Sequence, residues 1–586
     1  MIETYVAVLV VCGASLAIGQ AAIALCGARR WSWLAPAVGL ALLAATCWGT
    51  VRLAGDGIVS AIVVPVLVVA AIAYLWGRVE GGGEALRAGW PVALVALLAA
   101  SLPFVAEGHF GILGTSFNPD MSQHLLAADR LAHGHGGELL HQGYPLGPHA
   151  IVVALNKGLG IGLVQGFGGL TVAVAVLAPL TALAAFANLR PVPRTAAALV
   201  VGLAYVVASY FAQGAFKETI QALLVLAFVL ALRESTRTWR DLPLRFLPAA
   251  LLAAGSVYVY SFPGLTWLIA TAVIWATIEF TVSRTGRSPL VVRSALLASL
   301  TFAVLVAPEI GRMLDFHSFE TFDPNGPGLG NLFGQVSPFE ALGIWPSGDF
   351  RLAPGDGAVP AVGYYLGAAF GLVLLLYGIA RCWRRRESAV LAGLGAVALA
   401  YAAARLGGTP YTAAKAIEVG ASVVALAIVL PLLDRPVDRS RPAAVAAALF
   451  LGAAGVCSLL ALANAPVGPT SFSPALHDFR PLIAADSTLA LASDELLADQ
   501  QGGPFVSWEL RGGRVCIAAE SEAGERPPHG VRFVVARGAP GSPPFPTLRL
   551  RRAIPPYVLW EVTGPVAARS PCPLIAERQA RQGPAR

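Results

Sequence analysis

Apolar residues run along this chain in long blocks separated by short polar connections. A helix needs roughly 20 mostly apolar residues to cross a bilayer. Fourteen blocks qualify: residues 5–26, 32–51, 58–76, 88–106, 164–189, 195–213, 217–232, 246–263, 265–282, 292–310, 360–380, 388–406, 411–432 and 442–464. Several contain Gly or Pro, which spanning helices tolerate. The pattern predicts an α-helical polytopic membrane protein with about fourteen transmembrane helices. The block from Tyr5 to Cys26 is expected to remain as a span. No basic region precedes it and no clear small-residue cleavage site closes it.

Three longer polar segments interrupt the blocks: residues 107–163, 311–359 and 466–586. The last changes composition sharply, with Pro, Gly and charges interspersed. Alternating runs such as Val531 to Val535 and Tyr557 to Val562 predict strands, so the tail is expected to be a small α/β domain. Its cysteines, Cys516 and Cys572, fit either a disulfide or two thiols, because spacing cannot test bridge geometry. The expected organisation is three extra N-terminal helices over 1–87, a transmembrane core over 88–465 and the tail domain over 466–586. No internal repeat, P-loop, H-E-x-x-H or EF-hand pattern is present.

Composition agrees. Of 586 residues, 56% are hydrophobic and 13% charged, against about 25% charged in soluble domains. With a mean hydropathy of +0.67, a cytoplasmic enzyme, a secreted disulfide scaffold and a disordered chain are excluded. The net charge of +7 could suggest nucleic acid, but its placement argues against that partner. Alternate short connections, beginning after the first block, hold 20 basic residues, all arginine. The intervening connections hold eight: Arg52, Arg130, Lys157, Lys217, Arg312, Arg351, Arg405 and Lys415. This asymmetry puts the arginine-rich set in the cytoplasm. The N-terminus, the long polar segments and the tail domain then fall outside a bacterial plasma membrane. The 38 arginines against three lysines, with heavy Ala and Gly use, point to a high-GC bacterial genome.

The first outer segment carries the most chemistry. Asn118-Pro119 is a turn and helix-start signal, followed by Asp120 and by Met121, Leu125, Leu126 and Leu131 near helical spacing. A short amphipathic helix is expected to begin at the carboxylate and lie at the membrane surface. Asp120 and His124 share a face, and Asp129 and His133 repeat the offset. The rigid run Tyr144-Pro145-Leu146-Gly147-Pro148-His149 then leads into a second, interfacial apolar stretch at 150–163 that carries Lys157. A carboxylate just above a bilayer suits sugar transfer from a lipid phosphate. The acceptor hydroxyl is a poor nucleophile until a base takes its proton, and cations must hold the departing phosphate. The plain alternatives are an N-terminal cap for Asp120 and a packing role for His124.

Lysine is the second signal. Lys217 opens one apolar block beside Glu218, and Lys415 opens another after Tyr411, three residues before Glu418 and close enough to pair with it. A charge near a span faces a cavity or a partner, and lysine meets phosphate as a compact point charge. Lys217 and Lys415 are therefore candidates for donor-phosphate binding, with snorkelling or a structural Lys415–Glu418 pair as the alternatives. In the second outer segment, Trp345-Pro346-Ser347-Gly348-Asp349-Phe350-Arg351 offers an aromatic face for a sugar and polar groups for its hydroxyls, or else a structured cap over the helices. Glu309, after Pro308, is a secondary acid candidate.

The layout resembles the GT-C superfamily of integral-membrane glycosyltransferases, which includes protein O-mannosyltransferases, lipid A aminoarabinose transferases and actinobacterial arabinosyltransferases. Asp120 matches the family's acidic residue in the first external loop, and Tyr144-Pro145-Leu146 is similar to the aromatic-proline run of its relatives. The resemblance implies a polyprenyl-phosphate sugar donor and a cell-envelope glycan or lipid acceptor, with Asp120 as general base or acceptor-positioning acid. Tyr144, His149, His124, Glu218, Tyr411, Glu418, Trp345, Asp349 and Arg351 are then expected to line the substrate. This chain departs from the family in its three extra spans, in having Met121 where a second acid is frequent, and in lacking a clear later acidic counterpart. The need for a divalent cation stays open, and no metal ligand is assigned. A flippase for a lipid-linked saccharide and a non-catalytic scaffold for envelope assembly are the competing readings.

Overall fold

The computed structural model describes residues 1–564 except 56, 115–118, 134–137, 284–288, 318–327, 330–331, 333–334, 350, 357–358, 434–440, 472, 484–485, 499–501, 512–513 and 524. The Asn118 turn, Phe350 and Cys572, the expected partner of Cys516, lie outside this set. The chain forms two compact units. One contains Met1–Thr115 and Gln142–Val467, and the other Ser116–His141 and Gly468–Arg586.

The first unit is helical. Its helices are α1 (Ile2–Leu25), α2 (Ala35–Val51), α3 (Ile58–Leu75) and α4 (Gly82–Ala106), then, beyond α5 of the other unit, α6 (Gly147–Leu159), α7 (Leu163–Phe186), α8 (Pro191–Gly202) and α9 (Tyr205–Ala212). The order continues with α10 (Phe216–Thr236), α11 (Leu247–Tyr260), α12 (Leu265–Ile278), α13 (Pro289–Val306), α14 (Ala361–Arg384), α15 (Ser388–Gly407), α16 (Pro410–Leu433) and α17 (Arg441–Ala463). Every one of the fourteen apolar blocks is helical. Among the described residues, ten helices are long and apolar enough to cross a membrane, and α8 with α9 makes an eleventh candidate, bent by 56°. This is a multi-pass membrane protein. The stretch expected at 150–163 is the 13-residue α6, too short to span at 1.5 Å per residue.

Burial sorts the helices. Only 17% of the apolar window in α3 is buried, against 89% in α7 and in α16. Ile62, Val66 and Val69 of α3 are exposed apolar residues, as on a lipid-facing helix, whereas α7, α10 and α16 form the centre. Lipid supplies no hydrophobic drive between helices, so close backbone approach matters. At the α1–α2 crossing, a Cβ on Gly39 would lie 1.7 Å from the Ser15 carbonyl oxygen. Only glycine permits that approach.

The arginine-rich connections meet at one end of this unit. The Trp31 N–H donates to the Glu80 carbonyl at 3.0 Å, and the Glu80 N–H to the Arg29 carbonyl at 2.9 Å, joining the α1–α2 and α3–α4 connections. Arg233 in the last turn of α10 and Arg237 at its C-cap grip Glu387 of the α14–α15 connection at 2.9 and 2.6 Å. Alternation of spans requires such a shared end.

The second unit holds α5 (Pro119–Ala132), α18 (Gly502–Glu509) and a five-stranded sheet. Its strands are β1 (Ser487–Ala492), β2 (Arg514–Ala519), β3 (Phe533–Arg537), β4 (Leu548–Ile554) and β5 (Tyr557–Val562), in the order β2-β1-β3-β5-β4. β1 is parallel to both neighbours, and the β4–β5 hairpin extends the sheet antiparallel. All six residues of β1 are buried, as expected for a parallel strand covered on both faces. Ala490, Phe533, Val535 and Leu559 pack into one apolar layer, and Leu489, Leu491, Val534, Val558 and Trp560 into the other. The tail is thus an α/β fold. α18 packs against α5, so the first long polar segment contributes a helix to this unit.

Candidate functional site

Two central helices begin with charge. Gly214, at φ 74°, turns the chain into α10, whose first turn is Phe216-Lys217-Glu218. α16 starts after Thr409, where the Thr409 N–H donates to Thr412 Oγ1 at 2.9 Å and the Thr412 N–H to Thr409 Oγ1 at 3.3 Å. This reciprocal cap fixes Tyr411 and Lys415 in the opening turns.

α10 and α16 pack together, and Lys415 Nζ lies 2.9 Å from Glu218 Oε1. The Tyr260 hydroxyl reaches the same oxygen at 3.4 Å. Lys415 also lies 4.1 Å above the Tyr411 ring, and Lys217 lies 3.9 Å above Tyr144. His149 is fully buried, edge-on to Tyr144, Phe167 and Phe216 at 6.3, 5.3 and 5.7 Å. The structure thus gathers Tyr144, His149, Lys217, Glu218, Tyr411 and Lys415 into one neighbourhood.

Glu418 behaves differently from its expected pairing. Lys415 turns to Glu218 across the helix interface instead of to Glu418 on its own helix. Glu418 is fully buried, and among the described residues neither of its oxygens has a hydrogen-bond partner. An ammonium seated between Glu218 and the Tyr411 ring is more fully satisfied than one folded down its own helix toward a dry carboxylate.

Next to this cluster lies a buried knot that spacing did not reveal. Glu309, with no exposed surface, accepts the Trp48 indole N–H at 2.9 Å, Arg52 at 3.0 Å and Arg312 Nε at 2.6 Å. Its lone pairs are taken, so it is an anchor and has no capacity left as the secondary acid expected from sequence. Arg312 extends the knot to the Gly143 and Val257 carbonyls at 2.8 and 2.9 Å. Gly143 has φ 68°, and a Cβ there would lie 2.3 Å from the Arg312 carbonyl oxygen. The anchor therefore sets the backbone just before Tyr144, whose ring underlies Lys217. Arg52 and Arg312 were legible only as two of the few basic residues in the arginine-poor connections.

In the second unit, Asp120 opens α5 and His124 follows one turn later, both half-buried. Asp129, on the same helix, lies 3.7 Å from His133 and 3.6 Å from Arg511. The Arg511 guanidinium stacks 3.3 Å above the Trp508 ring of α18. Burial and the neighbouring Arg480 pull the Arg511 guanidinium down to about 10. Arg480 in turn donates to the Glu509 carbonyl at 2.7 Å. The helix that carries Asp120 is therefore tied by charge and stacking to the sheet-bearing unit.

The Trp345–Arg351 turn belongs to the membrane unit and packs on α14 and α17. Trp345 is buried, edge-on to Tyr364 and Tyr365 at 5.1 and 6.3 Å, so its rings serve packing. Asn464 donates to the Gly348 carbonyl at 2.7 Å. Arg351 clasps Asp349 through Nε at 2.9 Å and a terminal nitrogen at 2.6 Å. Burial works to raise the Asp349 carboxyl, but those hydrogen bonds outweigh it and hold it below its ordinary value. Nearby, Ser337 and Glu340 form a capping box, and burial pushes the Glu340 carboxyl up to about 7. Among the described residues, no group of three or more His, Cys, Asp or Glu side chains is arranged to hold a metal ion.

No protein-family profile and no curated protein matches the chain. Among solved structures it is similar to the arabinofuranosyltransferase AftD from Mycobacteria, determined by single-particle cryo-EM, at 14% identity and a TM-score of 0.47. The alignment covers 82% of this chain and 40% of that one, so this chain spans well under two thirds of that protein's length.

Proposed function

We propose that this protein is a membrane glycosyltransferase, moving a sugar from a polyprenyl-phosphate donor to a cell-envelope glycan or lipid at the outer face of the plasma membrane. The observation that carries the reading is the Lys217–Lys415 neighbourhood at the starts of two buried helices, with its aromatic floor and its fixed backbone. Such a site offers cationic charge to a phosphate at the edge of an apolar slab, where the donor's lipid tail also belongs. Asp120, on the outer unit, takes the proton from the acceptor hydroxyl. The hydroxyl oxygen then bonds to the anomeric carbon, the bond from that carbon to the phosphate oxygen breaks, and the phosphate leaves on the polyprenyl lipid with its charge met by lysine. Lys217 is the principal phosphate contact. Lys415 is committed to Glu218 and positions the site. In this reading the N-terminus and the sheet-bearing unit are extracytoplasmic.

The test is Asp120→Asn in the full-length protein in lipid nanodiscs, supplied with a radiolabelled polyprenyl-phosphate sugar. Transfer is lost while donor binding persists. Undiminished transfer would remove Asp120 as the base. The second reading, a flippase for a lipid-linked saccharide, draws on the 56° break between α8 and α9 and on buried Glu418, since broken helices and buried charges serve transporters. Movement of lipid-linked sugar across vesicles without a new glycosidic bond would select it.

A further inference from the structure

At the arginine-rich end of the membrane unit, a cavity of about 610 Å³ opens between the α1–α2 connection, the end of α7, the α10–α11 connection and the end of α16. Its wall includes Arg29, Arg30, Arg233, Arg237, Trp31 and Trp239. Two of these arginines are neutralised, because Glu387 holds both Arg233 and Arg237 and Glu234 lies 3.9 Å from Arg233. Arg29 and Arg30 are exposed and, among the described residues, make no ion pair. The cavity therefore keeps an excess of positive charge.

The loop that presents this charge is rigid. Fully buried Gln20 accepts the Ser32 N–H at 2.9 Å and donates to the Arg30 carbonyl at 3.4 Å. The backbone of Glu80 clamps Arg29 and Trp31 from the other side. Trp31 and Trp33 meet edge to face at 5.9 Å. The Trp31 indole nitrogen is buried and, among the described residues, has no hydrogen-bond acceptor. Leu242, Leu430 and Leu433 complete an apolar side. Fixed guanidiniums, indole rings and an aliphatic wall in one hollow match a phosphate ester that carries acyl chains.

We propose that this cavity is a binding site for the headgroup of an anionic phospholipid, with Arg29 and Arg30 meeting the phosphate and the leucine wall receiving the upper acyl chains. Basic pockets between spanning helices recognise anionic headgroups in this way, and each arginine near an anionic surface adds about 1 kcal/mol. The same chemistry would take a soluble phosphate ester, but that ligand has no use for the leucine wall.

Native mass spectrometry of the full-length protein, after equilibration with equimolar dioleoylphosphatidylglycerol and dioleoylphosphatidylcholine, tests the assignment. Phosphatidylglycerol is retained in preference. Arg29→Gln with Arg30→Gln lowers its retention by about thirtyfold, the equivalent of two such charges. Arg87→Gln with Arg384→Gln, two exposed arginines outside the cavity wall, leaves retention unchanged. Arg29→Lys with Arg30→Lys keeps most of the preference, which separates charge loss from misfolding. Equal retention of the two lipids overturns the proposal, as does undiminished phosphatidylglycerol retention in the Gln pair. Thermal stabilisation by inorganic phosphate alone, abolished in the Gln pair and with no lipid retained, assigns the cavity to a soluble ester and overturns the lipid reading.

Discussion

Lys415 on one central helix reaches Glu218 on another, 2.9 Å from nitrogen to oxygen. The pair joins the two helix starts that carry the candidate phosphate site. Removing one member of a buried pair leaves the other charged and dry, at a cost of about 3–5 kcal/mol. Lys415→Ala is therefore expected to lower the thermal unfolding midpoint of the purified protein markedly. Lys415→Met with Glu218→Leu is expected to recover most of that loss, and a double variant no more stable than Lys415→Ala would deny the pair its structural part.

Lys217 is the contrasting case. Its floor is the Tyr144 ring, an interaction worth about 0.5–2 kcal/mol. Lys217→Gln is expected to fold with little change in midpoint and to bind a polyprenyl-phosphate sugar at least tenfold more weakly. Donor affinity equal to that of the parent protein would transfer the phosphate contact elsewhere.

Gly143 leaves no room for a side chain. Its φ of 68° strains any L-residue, and the Arg312 carbonyl stands in the way. Gly143→Ala is expected to cost about 1–3 kcal/mol and to disturb Tyr144. A fall in unfolding midpoint together with weakened donor binding is the expected outcome, and full retention of both would mean the backbone there is freer than its contacts require.

Glu340 gives the second long polar segment a pH dependence. Its carboxyl is raised from 4.5 to about 7 by burial, so between those values the folded segment holds a proton that the unfolded chain has released. Stability of this cap is then greatest below pH 4.5, falls as pH rises and levels off above about 7. Hydrogen exchange over residues 335–349 is expected to quicken from pH 5 to pH 8, after correction for the intrinsic rate. Glu340→Gln keeps the capping box and is expected to flatten that dependence.

Arg511 ties α5 to α18 through Trp508 and Asp129. Arg511→Ala removes a stacking contact of about 1–2 kcal/mol and a partner of Asp129. Faster hydrogen exchange across residues 119–132, with exchange in the β1 core unchanged, is the expected signature. Equal acceleration in both places would mean that the whole unit had been loosened.

The helical layout was legible because spans declare themselves by length and apolarity, and all fourteen blocks are helical. Partner choice was not. The i,i+3 spacing of Lys415 and Glu418 is visible in sequence, whereas Glu218 lies nearly two hundred residues away and becomes a neighbour only when α10 meets α16. Trp345 sits in a loop rich in Gly and Pro and so looked available to a sugar. Its burial depends on Tyr364, which is itself fully buried and whose inward direction no local pattern announces. The Glu309 knot joins two distant stretches, Trp48 and Arg52 at the end of one helix and Arg312 beside Glu309 itself. Its only advance sign was the scarcity of basic residues in their set of connections.

The unit that bears the sheet is assembled from two distant pieces of chain, with α5 supplied early and α18 supplied late. Synthesis at about 5–20 residues per second separates the two by tens of seconds. During that interval α5 has emerged without the helix that later packs on it, while ten apolar blocks are still to be threaded into the bilayer. The Asp120 helix can reach its final setting only near the end of translation, so a protein halted partway would be inserted in the membrane yet lack its finished acidic helix.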